Sequence, residues 1–417
     1  MKFYSLIFCL IASIVFGQFQ DVKPPKNIKS LQIFNPQTND NTPVIRIGGS
    51  ESLFFIFDDM NAGYKRYQYS IEHRNADWSE SNIFQSEFLV GVNSDYVRTH
   101  KNSFNTYQKY TNYQIQFPNE QMNIKLAGNY LLKVYLDNDS KPIFTQCFSV
   151  YQPITDVGVM ISRYNNPTEK ELNQRLQIQV TSGTQNLIEA PDGAKLFLMK
   201  NNNWNEGYFV NRPTFSRNNQ LTYNDINMLF AGGAEYNWFD NKNLEVASLT
   251  TESTFRKDSV YHTVLRADFP KYNLPYDDFP DINGNFFIRN NRYGNEYAAN
   301  SEADYAWVYF ALENFEDQQG LYEPYVVGAF NKWQIDEDSK LLKDEKTGLW
   351  VTELFLKQGY YNYQYVVKNT KTGKIDPNYV SGSFWQAENQ YQVLFYYRPW
   401  GQRYDVLMGY GTGNSRR

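Results

Sequence analysis

The sequence contains few of the residues that carry catalytic or metal chemistry. Its 417 residues include only 3 histidines and 2 cysteines. His73, His100 and His262 lie far apart, and none has a second histidine or a cysteine at metal-ligand spacing. A zinc site would require all three to converge from distant segments. The sequence therefore predicts no metal site and no cofactor.

Motifs for nucleophilic catalysis and phosphate binding are also absent. The chain has no Gly-x-Ser-x-Gly turn and no Gly-x-x-x-x-Gly-Lys-Ser/Thr loop. The glycine-rich residues 409–413 precede no predicted helix, so we interpret them as a flexible tail. Residues 277–284 resemble half of a calcium loop, but EF-hand spacing would need acids where Phe279 and Asn290 stand. We interpret this segment as a turn, with a calcium site as the alternative, and we predict no catalytic residue.

Long apolar runs are missing except at the start of the chain. Residues 3–16 form an apolar stretch that follows Lys2 and ends at the small Gly17, which is typical of a secretory signal peptide. The stretch is shorter than the roughly 20 apolar residues of a membrane-spanning helix. The sequence thus favours a signal peptide at residues 1–17 over a membrane anchor.

Strong charge and disulfides are lacking in the expected mature chain. Removal of residues 1–17 would leave 39 basic and 45 acidic side chains, a net charge of −6 (39 minus 45). This mild, mixed charge gives no electrostatic basis for nucleic-acid binding. Cys147 would be the one remaining cysteine, so we expect no intramolecular disulfide. Apolar and polar residues alternate around it, which predicts a buried small hydrophobe.

Aromatic residues and strand-like alternation are abundant instead. The chain has 34 Tyr and 30 Phe, residue types that pack well on pleated sheets. Many short segments alternate apolar and polar residues between Asn, Asp, Gly and Pro turns, and strands are predicted at residues 128–135, 244–249 and 360–368 among others. We predict an all-β protein of tandem immunoglobulin-like or early-set β-sandwich domains. The expected domains are an N-terminal sandwich at residues 25–152, a middle sandwich with long loops at 153–300, and a C-terminal sandwich at 301–417.

One segment gives a weak indication of carbohydrate binding. Residues 327–333 resemble the strand entry of glycogen-binding and related early-set modules, which use tryptophans to stack on sugar rings. A carbohydrate-binding cell-envelope protein with this C-terminal module would expose Trp333 and Trp350 coplanar on one face. Alternatively, Phe330 and Trp333 only pack a strand and its turn. A periplasmic hydrolase is a further alternative, and it would require a deep cleft with either two facing carboxylates or a histidine-centred group of catalytic residues.

Several longer stretches are more specific. Residues 67–78, 105–113, 117–120 and 128–137 in the first segment, and 235–240 and 281–284 in the middle, resemble the plug protein of the type IX secretion system of Bacteroidota. The resemblance spans most of the mature chain and is most specific in the first domain. At one position the sequence departs from it, since Arg74 stands where a cysteine is more usual.

The resemblance implies a non-enzymatic role in protein secretion. A plug protein is periplasmic and associates peripherally with the outer membrane through the giant β-barrel translocon subunit. It closes the periplasmic mouth of that barrel while no substrate is engaged. The resemblance implies a monomer within a hetero-complex, with no membrane span and no nucleic acid, and it carries over no catalytic residue. The sequence does not indicate which residues bind the partner.

Overall fold

The structure is a computed structural model that describes residues 22–38, 40–137, 139–291 and 299–416. The predicted signal peptide lies outside these residues. Within them are 30 strands, one short α-helix and two 3-10 helices, so the prediction of an all-β sandwich fold is confirmed. No helix in the described ranges is long and apolar enough to cross a membrane.

The first sandwich is formed by residues 28–151. Its elements are β1 (Ile28–Phe34), β2 (Val44–Arg46), β3 (Leu53–Asp59), β4 (Tyr67–Arg74), α1 (Gln85–Phe88), β5 (Leu89–Gly91), β6 (Ser94–Tyr96), β7 (Thr99–Asn102), β8 (Thr111–Phe117), β9 (Met122–Ile124), β10 (Gly128–Leu136) and β11 (Phe144–Tyr151). The sheets run β1-β3-β8-β7 and β2-β11-β10-β4-β6, with β5 paired to β9. Side chains at every second position, such as Phe55 and Phe57 on β3 and Tyr130 and Leu132 on β10, fill the space between the sheets.

The second sandwich begins directly after the first. Its first elements are β12 (Thr155–Arg163), β13 (Asn173–Ser182), a 3-10 turn (Pro191–Gly193), β14 (Ala194–Lys200), β15 (Asn203–Val210), β16 (Phe215–Arg217), β17 (Gln220–Tyr223) and β18 (Leu229–Ala231). One sheet has the order β12-β13-β17-β16, and β18 also pairs with β13. The facing sheet contains β14 and β15, and the chain completes it only at its end.

The third sandwich follows β18. Its elements are β19 (Asn237–Asp240), β20 (Thr251–Lys257), β21 (Val260–Leu265), β22 (Phe286–Ile288), β23 (Tyr305–Leu312), β24 (Tyr322–Val327), a 3-10 turn (Ala329–Asn331), β25 (Leu342–Lys343), β26 (Trp350–Lys357), β27 (Gly359–Asn369) and β28 (Ile375–Asp376). One sheet runs β20-β21-β23-β26-β25, and the other gathers β19, β22, β24 and β28 on β27. Val308, Phe310, Tyr363 and Tyr365 lie in the shared core.

The last two strands return to the second sandwich. β29 (Gln390–Tyr397) pairs with β14, and β30 (Val406–Asn414) pairs with β29, which gives the order β15-β14-β29-β30. The third sandwich is therefore inserted between β18 and β29. This arrangement differs from the expected consecutive segments 153–300 and 301–417. Alternation in the sequence shows which face of a strand is buried, whereas it does not show which distant strand is its partner.

The glycine-rich residues 409–413 belong to β30 and are not a flexible tail. A Cβ at Gly411 would lie 2.4 Å from the carbonyl oxygen of Val157, and one at Gly413 would lie 2.6 Å from the Ile161 side chain. Since neither distance leaves room for a side chain, glycine allows β30 to approach β12 closely. The sequence-based interpretation was wrong because the glycines serve packing rather than flexibility.

A buried ion pair joins the first and third sandwiches. Lys357 Nζ lies 2.5 Å from Asp58 Oδ2, and both side chains are fully buried. The Tyr305 hydroxyl donates to the same carboxylate oxygen at 2.6 Å, and Lys357 also donates to the Asn300 carbonyl. Burial lowers the pKa of Lys357, while the neighbouring Asp58 carboxylate opposes that change. Separating the pair would strand a charge in the interior, so the two sandwiches are held in a fixed position.

The first and second sandwiches are joined by apolar and polar contacts. Phe197 and Leu394 pack in one buried cluster with Val44 of the first sandwich. The Tyr396 hydroxyl donates to Asn129 Oδ1 at 2.7 Å, bridging β29 and β10. These interfaces arrange the three sandwiches around a common cleft.

Candidate functional site

A cleft of about 590 Å³ lies where the three sandwiches meet. The first sandwich contributes β1 and the turn after β4, the second contributes the β14–β15 hairpin, and the third contributes the start of β22 and the turn after β24. Its volume falls within the roughly 300–1,000 Å³ of ligand-binding pockets. We call this site the aromatic cleft.

Aromatic rings form much of its wall. Three of the chain's 8 tryptophans line the cleft: Trp78, Trp204 and Trp333. Trp204 stacks on Phe197 with ring centres 5.0 Å apart and planes 18° apart. Trp78 meets Trp204 in an edge-to-face contact at 5.2 Å. All three tryptophans are half-buried, so part of each indole remains accessible.

The backbone of the cleft wall adopts an unusual conformation at several positions. Trp78 has φ 65° and Trp333 has φ 58°, and the lining residues Asn201, Asn202 and Lys332 are also left-handed. A bulky residue in this region is rare, and each instance costs of the order of 1–3 kcal/mol. Such residues persist only where the surrounding structure holds them in place. They are concentrated at binding and catalytic sites.

Glycine backbone supports two of the rings from behind. A Cβ at Gly207 would lie 2.2 Å from Phe197 Cζ, and one at Gly284 would lie 2.0 Å from Trp333 Cη2. Gly284 also has φ 77°, which a residue with a side chain rarely adopts. A larger residue at either glycine would displace the ring that now packs on it.

Hydrogen bonds between sandwiches fix the width of the cleft. Asn41 Nδ2 donates to Asn285 Oδ1 at 3.0 Å, which links the first and third sandwiches. Asn205 Nδ2 donates to the Lys332 carbonyl at 3.1 Å, which links the second and third. The Lys332 ammonium donates to the Thr145 carbonyl at 3.1 Å. The cleft is therefore preformed.

The remaining polar lining consists largely of neutral amides. Gln32 is only 5% exposed, and its Nε2 is buried without a hydrogen-bond partner. Asn202 Oδ1 is likewise buried and unpaired. A buried polar atom without a partner costs about 1–3 kcal/mol, and an occupant that reached these amides would remove part of that cost.

Carboxylates are scarce in the described lining of the cleft. Asp77 is the one carboxylate among the described residues that line the cleft, whereas glycoside hydrolysis by the usual route needs two. Across the described ranges no three His, Cys, Asp or Glu side chains come together as a metal site. The described lining of the aromatic cleft thus consists mainly of aromatic rings and amides.

The histidines lie apart in the structure. His73 is buried on β4 against Tyr130, and burial lowers its pKa to about 4, despite the opposing contact with the Ala127 carbonyl. His100 is exposed on β7. His262 Nδ1 lies 2.9 Å from the Tyr309 hydroxyl on the neighbouring strand. The three histidines therefore do not converge on one site.

The calcium-like segment 277–284 forms an irregular connection. Asp281 accepts hydrogen bonds from the backbone N–H groups of Tyr236 at 2.6 Å and Asn283 at 2.7 Å. Burial raises the pKa of Asp281 to about 7, although both hydrogen bonds act in the opposite direction. The carboxylate fixes the turn that leads into β22.

The two tryptophans expected for a C-terminal sugar site do not share a surface. Trp333 packs with Tyr325 and Val327 and lines the aromatic cleft. Trp350 packs instead against Phe315 and the core of the third sandwich. Cys147 is half-buried and also lines the cleft, so it is less enclosed than the alternation predicts.

Trp78 and Trp204 carry no sequence pattern from which they were predicted as site residues. Trp78 ends the specific stretch 67–78, and Trp204 lies in an asparagine-rich segment that gave no strand prediction. An aromatic residue among asparagines and next to turn signals is an available clue. Nothing local, however, indicates that positions 78, 204 and 333 meet.

The comparisons with known proteins identify the first sandwich. Residues 28–152 match the family model described as "Type 9 secretion system plug protein 1st domain". This domain belongs to the plug protein family. The resemblance inferred from the sequence is thereby confirmed for the first domain, and this domain indicates a role in type IX secretion.

A solved structure resembles the whole chain. It is a crystal structure of a hypothetical protein from Parabacteroides merdae ATCC 43184, with 28% sequence identity and a TM-score of 0.88. The similarity covers 94% of this chain and 98% of that one. No curated protein matches the chain. The three-sandwich arrangement is therefore shared with a solved structure, which is described as that of a hypothetical protein.

Proposed function

We propose that this protein is a periplasmic plug that binds the outer-membrane translocon of the type IX secretion system and occludes it in the absence of substrate. The observation that carries the proposal is the match of residues 28–152 to the plug family domain. The all-β fold and this domain suggest a non-catalytic structural protein. The proposed partner is the giant β-barrel subunit, with one copy of the plug in the complex.

The size and rigidity of the molecule support occlusion. A passage for folded proteins must be wider than a domain, so it would leak small solutes when empty. A compact chain of this length has a radius of gyration of about 22 Å, compared with about 13 Å for 100 residues. The buried Asp58–Lys357 pair and the Asn129–Tyr396 hydrogen bond join the sandwiches into one body. A single rigid body can block a wide passage, whereas loosely linked domains could not.

Two exposed aromatic side chains offer a contact surface for the translocon. Phe84 is 74% exposed and Trp400 is 91% exposed. Arg403 brings their loops together, since it donates to the Asn82 carbonyl at 3.1 Å and forms an ion pair with Glu87. Exposed aromatic residues are favoured at protein interfaces. We propose that this surface, which spans the first and second sandwiches, contacts the barrel.

The experiment combines purification of the translocon with deletion of the gene. An affinity tag on the barrel subunit should recover this protein from detergent-solubilised envelopes. The deletion should increase entry of large antibiotics that the intact outer membrane excludes, and a restored copy of the gene should reverse the change. An abundant unrelated periplasmic protein serves as the control for recovery. Absence from the purified translocon together with unchanged permeability would refute the proposal.

A further inference from the structure

We propose that the aromatic cleft binds a neutral saccharide. The inference is independent of the plug function, because it rests on the composition and geometry of the cleft. Trp78, Trp204 and Trp333 provide accessible ring surfaces, one from each sandwich. This site differs from the expected Trp333–Trp350 surface, which the fold does not form.

The lining matches the two kinds of surface that a sugar presents. A pyranose ring has C–H groups on its faces and hydroxyl groups around its rim. Indole rings pack against the faces, and amide side chains, which both donate and accept, bond to the rim. Gln146 and Gln334 supply such amides in the lining. Apolar walls with a few directed polar groups are typical of small-ligand sites.

The charge of the cleft favours an uncharged ligand. Asp77 and Lys332 are its charged side chains among the described lining residues. The Lys332 ammonium already donates to the Thr145 carbonyl at 3.1 Å. One carboxylate and one engaged ammonium provide no net field for an anion or a cation.

The unpaired amide atoms point to a ligand that can both donate and accept. Gln32 Nε2 is an unpaired donor, and Asn202 Oδ1 is an unpaired acceptor. The acetamido group of an N-acetylated sugar carries one carbonyl oxygen and one N–H, which complement this pair. Hydroxyl groups provide the same two functions on sugars that lack the acetamido group.

The edges of the cleft disfavour an extended peptide that adds a strand. β1 is interrupted by a register shift between Lys29 and Gln32, and Ser30 is left-handed with φ 50°. β22 is only 3 residues long, and Asn205 of β15 is bonded to the third sandwich. Bulged, short or bridged edges are poor templates for strand addition. A preformed cleft suits a compact, rigid ligand better.

The test is titration of the whole chain without residues 1–17 by calorimetry and tryptophan fluorescence. The probes are maltotriose, cellotriose and tri-N-acetylchitotriose. We expect saturable binding of at least one probe with a change in fluorescence. Trp78→Gly and Trp204→Ala should each weaken binding at least about tenfold, which corresponds to about 1.4 kcal/mol. The control Trp400→Ala removes a tryptophan that is not part of the cleft lining and is far more exposed than Trp78 or Trp204. This variant should bind each probe with the same affinity as the parent protein.

Two further measurements keep the test decisive. Thermal unfolding of each variant separates lost binding from lost structure, and Trp78→Gly is suited to this because glycine adopts the left-handed conformation without strain. An acetylated, amidated pentapeptide of alanine with one tryptophan is titrated alongside. Failure of all three saccharides to bind, equal binding by the folded variants, or binding of the peptide alone would overturn the proposal.

Discussion

Asp58 and Lys357 show how a single side-chain pair links two sandwiches. Asp58 lies on β3 and Lys357 ends β26, and neither is accessible to water. The carboxylate also accepts hydrogen bonds from Tyr305 and from Asn112 Nδ2 at 2.7 Å. Lys357 lies over the ring of Tyr110 at 4.2 Å. The pair is thus part of a hydrogen-bonded network. Removal of Asp58 or Lys357 would leave the other charge buried without a counter-ion, which is unfavourable in the low-dielectric interior.

We predict that Lys357→Met destabilises the protein by about 3–5 kcal/mol, because it leaves a buried carboxylate without its counter-ion. The double variant Asp58→Asn/Lys357→Met should recover part of this loss, since it removes the charge and keeps an acceptor for Tyr305. The free energy of unfolding of both variants is measured by urea unfolding that is monitored by tryptophan fluorescence. The control Lys340→Met breaks a more exposed ion pair with Glu323 and should cost at most about 1 kcal/mol. Equal losses for Lys357→Met and Lys340→Met would contradict the role assigned to the buried pair.

At the scale of elements, the insertion of the third sandwich sets which pieces of chain can fold alone. Strands from β19 to β28 share the core that contains Val308 and Tyr363. Strands β29 and β30 complete the core of the second sandwich, where Val393 and Phe395 pack with Leu196 of β14. A fragment of the chain that contains only some of the strands of either core would expose apolar side chains that are buried in the whole protein.

We predict that a fragment of residues 234–386 folds, whereas a fragment of residues 301–417 does not. The first contains the third sandwich from β19 to β28, and the second separates β29 and β30 from β14. Circular dichroism and thermal unfolding should show a cooperative transition for the first fragment only. Val308→Asp places a charge in its core and should abolish that transition. A cooperative transition for residues 301–417 would contradict the observed strand grouping.

The sequence predicted individual strands better than their grouping. Residues 128–135 correspond to β10 (Gly128–Leu136), and 360–368 to β27 (Gly359–Asn369), because alternation is a local property of a strand with one buried face. β15 was missed because most of its residues are half-buried, which leaves no clear alternation. Residues 244–249 alternate in sequence but form bends and turns.

The aromatic cleft could not be predicted from local patterns. Its lining extends from Leu31 to Gln334 and comes from three sandwiches. The left-handed backbone at Trp78 also has no signature in the sequence, since tryptophan rarely adopts it. Such a site is a property of the assembled interfaces, which depend on distant pairings such as Asp58 with Lys357.

At the scale of the whole molecule, the proposed roles fall on different surfaces. The aromatic cleft lies between all three sandwiches, whereas Phe84 and Trp400 project into solvent on loops of the first and second. Occlusion requires a contact that forms and releases. A few exposed aromatic anchors with a polar surround provide such a contact, since a small number of residues carry most of the energy of an interface.

We predict that Phe84→Ser and Trp400→Ser each reduce recovery of this protein with the tagged translocon, and that the double variant is lost from it. Truncation of an anchor residue at the centre of an interface costs about 2 kcal/mol or more, which lowers affinity by about 30-fold. The matched control is Leu249→Ser, which replaces an apolar side chain that is 83% exposed on the third sandwich. Thermal unfolding of the purified variants should match the parent, because both aromatic side chains contribute little to a core. Normal recovery of the double variant would place the contact elsewhere on the molecule. Loss of the Leu249→Ser variant as well would show that recovery depends on exposed apolar residues in general and not on this surface.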